Sequence, residues 1–99
     1  MATFEIRWDE VAVEELTVLR AFDQERILDE TDEQLSEQPN VVTKRRKLLE
    51  VEPPWEQEGP VWQLRVGDFR VFYDIDEPNK VVIVRAVREK GNLTTEEIL

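Results

Sequence analysis

Apolar and polar residues alternate along this chain with two different periods, and the period predicts the elements. Residues 4–8 (Phe-Glu-Ile-Arg-Trp) alternate one by one, which is typical of a strand with one buried face. Two further runs, 61–66 and 69–75, are rich in apolar and β-branched residues, which also favours strands. The run 80–88 contains Val-Val-Ile-Val and is expected near the centre of a sheet, because both its faces are apolar. The pattern therefore predicts four strands.

Between the first two strands, apolar residues recur at a period near 3.6 in two segments. The first segment follows Asp9, a suitable N-cap, and continues to Phe22. The second follows Asp23, which can cap it, and stops at Pro39-Asn40. Acids and glutamines fill the remaining positions, so the two segments predict a helical hairpin with an acidic outer face.

Three shorter segments complete the pattern. Residues 41–49 fit either a short helix or an extended link. Residues 52–60 form a loop by their Pro and Gly content, with Trp55 as its anchor to the core. Thr94 and Glu97 have the spacing of a capping box, which predicts one helical turn at the end of the chain.

The order of elements is strand, two helices and a three-stranded meander. It predicts an α+β fold, an antiparallel sheet with the helices packed on one face. The first strand is expected at an edge, beside one of the later strands. The 99 residues show no internal repeat and are expected to form a single domain, 1–99.

Gly67 and Asp68 interrupt the apolar pattern for only two residues, which predicts a tight β-hairpin. Arg65 then lies opposite Arg70 on one face, where like charges repel by a few tenths to about 1 kcal/mol. An anion held between the two guanidinium groups, such as a phosphate, would make the arrangement favourable. A nearby acid for each arginine would do the same.

The other basic residues are few and concentrated. A dense run either contacts a nucleic-acid backbone or forms a solvated face; it consists of Lys44, Arg45, Arg46 and Lys47. The last strand of the meander adds Arg85 and Arg88, and the register across the preceding turn decides which of them shares the face of the hairpin arginines. Lys90 follows at the end of that strand.

Charge is distributed unevenly. The formal net charge of −10 argues against simple nucleic-acid binding, which depends on neutralising phosphates. Residues 1–40, however, carry twelve acids and three bases, a net charge of −9, while the bases gather in the tetrad 44–47 and along the late strands. The sequence therefore predicts an anionic surface and one local cationic patch.

Several classes of site are excluded by composition. Without cysteine there is no disulfide, thiol nucleophile or thiolate zinc site, and without histidine the usual proton carrier near neutral pH is missing. The paired carboxylates of the helices are interpreted as a solvated face, so neither a metal nor an organic cofactor is expected. No apolar run of eighteen residues and no secretory signal stand in the sequence, so we expect a cytoplasmic protein.

The segment Trp62–Asp76, WQLRVGDFRVFYDID, followed by Lys80–Val84, KVVIV, closely resembles the RelE/ParE toxin superfamily. Its members are small toxins of type II toxin–antitoxin modules, and their order of elements is similar to the one predicted above. The resemblance implies a toxin held inactive by a cognate antitoxin that wraps it. It also implies two alternative activities, ribosome-dependent mRNA cleavage in RelE-like members and inhibition of DNA gyrase in ParE-like members.

Carried over by the resemblance, Arg70 falls on the arginine that contacts the scissile phosphate in RNA-cleaving members. Arg65 falls on its neighbour across the turn, and Lys90 lies near a second cationic position. The resemblance thus implies a catalytic group formed by Arg70, Arg65 and Lys90. Other basic residues would hold the RNA, namely Lys44, Arg45, Arg46, Lys47, Arg85 and Arg88.

The chain departs from the family pattern in its proton-transfer groups. Val61 and Gln63 stand where the best-known ribosome-dependent cleavers have lysines, and no catalytic tyrosine or histidine follows Gly91. The resemblance therefore leaves two hypotheses. One is an endoribonuclease of weak or atypical activity; the other is a ParE-like or degenerate member that acts through protein contacts with gyrase or an antitoxin.

Overall fold

The computed structural model describes residues 3–57 and 59–99. Within them the strands are β1 (Glu5–Trp8), β2 (Arg46–Leu48), β3 (Trp62–Val66), β4 (Phe69–Asp76) and β5 (Val81–Glu89). The helices are α1 (Glu10–Thr17), α2 (Ala21–Leu35) and α3 (Thr95–Ile98). None of the described helices is long and apolar enough to cross a membrane.

The strands form one sheet in the order β1-β5-β4-β3-β2. The predicted meander is confirmed, because β3, β4 and β5 pair antiparallel in sequence order. The first strand lies at an edge, as expected, and pairs with β5. That pairing is parallel, so the sheet is mixed. The α+β fold predicted from the sequence is confirmed.

Residues 41–49 contain an element that the sequence pattern did not reveal. Neither a helix nor a plain link forms there, because Arg46–Leu48 pairs antiparallel with β3 and extends the sheet by one strand. The usual alternation is absent in β2, since Arg46 is buried while Lys47 and Leu48 are both exposed, Leu48 to 44%. A strand that buries an arginine and exposes a leucine has no recognisable hydrophobic period.

The boundary between the two long helices lies earlier than predicted. Helix α1 ends at Thr17 and α2 begins after Arg20, so Asp23 lies in the first turn of α2 and is not its cap. There its carboxylate pairs with Arg20 at 3.2 Å, near the positive end of the helix dipole. Phe22 therefore belongs to α2, where it is 72% exposed.

Apolar side chains cover both faces of the sheet. The main core, under α1 and α2, includes Leu16, Ile27, Val71 and Tyr73. On the other face a smaller cluster joins Phe72 of β4 to Ile98 of α3 and to other apolar residues. Trp55 packs against Phe72 with ring centroids 5.9 Å apart, which confirms its predicted role as a loop anchor. The capping box of α3 is also confirmed.

Candidate anion-binding site

The hairpin between β3 and β4 has the predicted register, with Arg65 opposite Arg70. Gly67 adopts a φ of +58°, which a residue with a side chain rarely takes. A Cβ atom there would also lie 2.7 Å from Nη1 of Arg26, which reaches over the turn from α2. The backbone therefore favours glycine at this position, whereas the guanidinium of Arg26 ends a flexible, half-exposed side chain and can move aside.

Arg65 and Arg70 carry charges that no carboxylate of the described residues neutralises directly. Within residues 3–57 and 59–99, neither guanidinium forms an ion pair. Arg70 donates from Nη1 to the carbonyl oxygens of Gly67, at 3.0 Å, and Phe69, at 2.9 Å, so the hairpin itself holds its side chain. Burial and the charge of Arg65 both lower the pKa of Arg70 and outweigh the opposing charge of Asp68. Like charges therefore face each other here in a partly desolvated site.

Strand β2 and the residues before it bring three members of the basic tetrad to the same place. Its pairing places Lys47 opposite Gln63, and the backbone N–H of Arg65 donates to the carbonyl oxygen of Arg45 at 2.8 Å. The result is a cleft of about 110 Å³, which we call the cationic cleft; it is lined by Lys44, Arg45, Lys47, Gln63, Arg65 and Arg70. Two basic groups that are separate in the sequence thus form one site.

Arg45 connects the cationic cleft to α2. Its Nε donates to the carbonyl oxygen of Arg65 at 3.0 Å, and its Nη2 pairs with the carboxylate of Glu30. Glu30 also pairs with Arg26 at 2.7 Å. Burial favours the neutral form of Glu30, but the hydrogen bonds and charges of the two arginines outweigh it and lower the pKa of this carboxyl. Nothing in the sequence pattern singled out Glu30, because it is one of many acids on a predicted solvated face.

Arg46 does not line the cationic cleft, contrary to its assignment with the rest of the tetrad. Arg46 is buried. Its Nε donates to the carbonyl oxygen of Val41 at 3.2 Å, and its Nη1 donates to the carbonyl oxygen of Gln34. Successive side chains of a strand point to opposite faces, so Arg45 and Arg46 separate. Arg46 therefore fixes the segment after α2 to the sheet, and we no longer count it among the candidate binding residues.

Comparison with known families identifies the chain. The family described as "ParE toxin of type II toxin-antitoxin system, parDE" matches residues 6–92. The chain belongs to the ParE toxin family. The resemblance to the RelE/ParE superfamily is thereby confirmed, and the protein is a toxin of the type II toxin–antitoxin class. No protein of curated function matches the toxin in sequence.

Solved structures agree with the fold of the toxin. A chain of the archaeal RelE–RelB complex from Pyrococcus horikoshii OT3 is similar with a TM-score of 0.70 and 23% identity, over 91% of the toxin and 98% of that chain. A chain of the toxin–antitoxin complex RelBE2 from Mycobacterium tuberculosis is similar with a TM-score of 0.71 and 20% identity, over 93% of the toxin and 97% of that chain.

The register between β4 and β5 shows which arginine of β5 lies on the same face of the sheet as Arg65 and Arg70. Arg88 lies directly opposite Arg70, while an irregularity in the pairing beside Phe72 and Tyr73 accommodates Arg85. Neither guanidinium is free to hold a ligand. Arg88 pairs with Glu15 and donates from Nε to the carbonyl oxygen of Ile98 at 3.0 Å.

Arg85 is neutralised twice. It pairs with Asp74 at 3.0 Å and with Asp9 at 3.3 Å. Burial lowers the pKa of Arg85, but the hydrogen bonds and charges of the two aspartates outweigh it and raise that pKa. Arg85 thus fastens the start of α1 to the sheet.

Lys90 lies beside the hairpin turn. Its backbone N–H donates to the carbonyl oxygen of Asp68 at 2.7 Å. The hydrogen bonds of Thr94 lower the pKa of Glu97, and the charge of Lys90 adds to this effect. Lys90 is not among the residues that line the cationic cleft of the toxin.

Val61 and Gln63, which stand where the ribosome-dependent cleavers have lysines, have different surroundings. Val61 is buried in the smaller apolar cluster with Ile98 of α3. Gln63 is buried too, but it lines the cationic cleft. The cleft therefore offers charge and one amide, and neither of these positions supplies a basic group that could accept a proton.

Proposed function

We propose that the toxin binds the backbone of mRNA in the cationic cleft and cleaves it slowly, as a ribosome-dependent endoribonuclease in the cytoplasm. One observation carries the proposal. A protein with a formal net charge of −10 gathers five basic side chains around one small cleft, and only Arg45 among them forms an ion pair with a described residue, so the guanidinium groups of Arg65 and Arg70 are left unpaired there. Guanidinium groups in this state are suited to phosphate, because their planar forks match its oxygens.

The chemistry follows from where charge develops. When the ribose 2′-oxygen attacks the adjacent phosphorus, a new O–P bond forms, the bond to the 5′-oxygen breaks, and negative charge builds on the non-bridging oxygens. Arg70, held by the hairpin carbonyls, is already oriented to stabilise that charge, and Arg65 faces it across the turn. The exposed Lys44 and Lys47 would hold flanking phosphates.

The proposed reaction is slow because proton transfer is left to water. The attacking hydroxyl gives its proton to solvent, and the leaving 5′-oxygen takes one from solvent. The chain has no histidine, and Val61 and Gln63 replace the lysines of the familiar cleavers. A positioned acid or base contributes about 10²–10⁴-fold to such a rate. The proposed reaction is expected to be slower by this factor than that of a cleaver with a positioned acid or base.

Replacing Arg70 by alanine tests the proposal. The Arg70→Ala toxin, expressed from an inducible promoter, should no longer inhibit bacterial growth, and primer extension on a reporter mRNA should lose its codon-phased cuts. Arg7→Ala is the matched control, since Arg7 is an exposed strand arginine at the opposite edge of the sheet. If Arg70→Ala is as toxic as the parent and equally folded, the proposal is wrong.

A second candidate function is inhibition of DNA gyrase through protein contacts. The match to the ParE family and the lack of basic groups at Val61 and Gln63 favour it. Growth inhibition without mRNA cuts, together with loss of supercoiling by purified gyrase in the presence of toxin, would establish it over RNA cleavage.

A cognate antitoxin is the proposed partner in either case. The two structural neighbours come from complexes of a toxin with its antitoxin. The toxin also exposes apolar side chains on its helical hairpin among the acids, including Val18, Phe22 and Leu28. Exposed apolar residues surrounded by charge are typical of a protein-binding surface.

A further inference from the structure

Arg45 is the only basic residue of the cationic cleft that has a carboxylate partner among the described residues. Its Nη2 pairs with Glu30 of α2. The other four basic residues of the cleft form no ion pair within residues 3–57 and 59–99; they are Lys44, Lys47, Arg65 and Arg70. The five cations are therefore not equally available to a ligand.

The ion pair between Arg45 and Glu30 is partly withdrawn from solvent. Glu30 uses one carboxylate oxygen for Arg45 and the other for Arg26, whose Nε lies 2.7 Å away. The side chain of Glu30 is 23% exposed and that of Arg45 is 32% exposed, so water and salt screen their attraction less than that of a fully exposed pair. Displacing Arg45 would leave a partly buried carboxylate with Arg26 alone.

Arg45 reaches Glu30 at the edge of the sheet. Leu64 and Val66 of β3 belong to the main core under α2, so Arg65 between them points to the opposite face, where it lines the cationic cleft. The Nε of Arg45 donates to the carbonyl oxygen of Arg65 at 3.0 Å. The guanidinium group of Arg45 is thus held by a backbone carbonyl and drawn toward α2, away from the face on which a phosphate would lie.

We propose that Glu30 is a positioning residue, which holds the guanidinium of Arg45 at the edge of the sheet and so keeps it from a phosphate in the cationic cleft. The phosphate then meets four basic side chains and not five, because it would have to compete with a carboxylate tethered in the same molecule. The inference rests on the proposed binding of RNA in the cleft. It adds an internal carboxylate that limits the affinity of the cleft for RNA.

Fluorescence anisotropy at several salt concentrations tests the inference, with a 5′-labelled oligouridylate as the probe. Each phosphate contact of a single strand contributes about −0.7 to the slope of log K against log salt concentration. Glu30→Gln keeps the shape of the side chain and removes its charge, so Arg45 can turn to the phosphate. We expect this variant to bind the probe about three- to ten-fold more tightly at low salt, with a slope steeper by about 0.7.

The direction of the change separates this role from support of the fold. If Glu30 only supported the fold, Glu30→Gln would weaken binding or leave it unchanged, because Arg45 would lose its anchor beside Arg65; either result would overturn the inference. Glu33→Gln removes a charge from an exposed position of the same helix and should bind as wild type does. It is therefore the matched control for long-range charge. Urea denaturation checks that each variant is folded under the assay conditions.

A double-mutant cycle shows whether the gain passes through Arg45. Arg45→Ala should remove the gain of Glu30→Gln, so it should lower the affinity far more in that variant than in the wild type. A gain that survives in the Glu30→Gln/Arg45→Ala toxin would come from Arg26 or from net charge, and it would overturn the inference.

A further comparison needs no change at Glu30 and separates the inference from the proposed function. In otherwise wild-type toxin, Lys47→Ala should flatten the salt slope by about 0.7 and Arg45→Ala by much less. Equal flattening would overturn the inference and leave RNA binding intact. If wild-type toxin does not bind the probe, or binds it as tightly after Arg65→Ala, the proposed function falls and the inference with it.

Discussion

Arg45 and Arg46 are neighbours in the chain but have opposite environments. Arg45 lines the cationic cleft, while Arg46 is buried and satisfied by backbone carbonyl oxygens. The sequence could show a basic run, but only the pairing of β2 shows which of its members face the cationic cleft. At the scale of the residue, the face of the strand on which a charged side chain lies decides its role more than the sign of its charge does.

Arg46→Ala should therefore act on stability. It leaves the carbonyl oxygens of Val41 and Gln34 without their donor and removes a buried stem, so we expect a loss of about 2–4 kcal/mol in the free energy of unfolding. Lys47→Ala, one residue on and exposed, should stay within about 0.5 kcal/mol of wild type. Urea denaturation of the two variants measures the difference, and equal stabilities would contradict the structural role of Arg46.

Glu30 gives a pH-dependent prediction. Because the pKa of this carboxyl is below its ordinary value of 4.5 in the folded toxin, its contribution to stability is complete above that value. The contribution is lost as the pH falls through the lowered pKa. Glu30→Gln should thus be less stable than wild type at pH 7, and the gap should narrow below pH 4.5. Urea melts at pH 7 and at acidic pH check this. The matched Glu33→Gln, an exposed carboxylate on the same helix, should show no comparable gap.

At the scale of elements, α1 completes the edge of β5. Strand β1 pairs only with residues 81–84, which leaves the second half of β5 without a neighbouring strand on the side away from β4. There the carboxylate of Glu15 accepts a hydrogen bond from the backbone N–H of Val87 at 3.0 Å and pairs with Arg88. A helix side chain thus covers a strand edge that would otherwise be open to another chain.

Glu15→Ala should open this edge. It leaves one backbone donor and one partly buried guanidinium unpaired, so we expect a loss of about 1.5–3 kcal/mol in stability. Hydrogen exchange of the Val87 amide should become faster than that of its neighbours in β5. Glu14→Ala, on the adjacent exposed position, serves as the control, and identical behaviour of the two variants would show that Glu15 does not protect the edge.

The sequence predicted those elements whose hydrophobic period was regular. The meander, the edge position of β1 and the capped α3 follow from apolar alternation, an interrupted run at Gly67-Asp68 and a capping-box spacing. Strand β2 escaped because it buries Arg46 and exposes Leu48. The start of α2 was misplaced because Asp23 has the chemistry of a cap, although Arg20 occupies the position.

For the whole molecule, the decisive property is the separation of charge. Residues 1–40 carry a net charge of −9, whereas the cationic cleft gathers five basic side chains at the edge of the sheet formed by β2 and β3. The sequence revealed the acidic first part and the clustered bases. It could not show that Arg85 and Arg88 form ion pairs with carboxylates of the same chain, or that Arg88 also donates to a carbonyl oxygen. That outcome depends on contacts with Asp9 and Glu15, more than 70 residues away in the chain.

The acidic hairpin predicts the chemistry of the antitoxin. The segment that binds the toxin should be basic or mixed in charge and should carry apolar residues for the exposed Val18, Phe22 and Leu28. Co-purification and sequencing of the partner check this. Association should slow as salt is raised, because long-range attraction is screened. A strongly acidic binding segment would contradict the prediction.

The parallel pairing of β1 with β5 sets the moment at which the toxin is completed on the ribosome. Asp9 and Arg85, joined by an ion pair, are 76 residues apart. At typical synthesis rates the ribosome needs about 4–15 s to make the intervening chain. Until then the first strand has no neighbour, and the hairpin that carries Arg65 and Arg70 has not joined a finished core. A nascent chain that stalls before β5 should therefore stay incompletely folded, because both β1 and β4 lack the strand with which they pair.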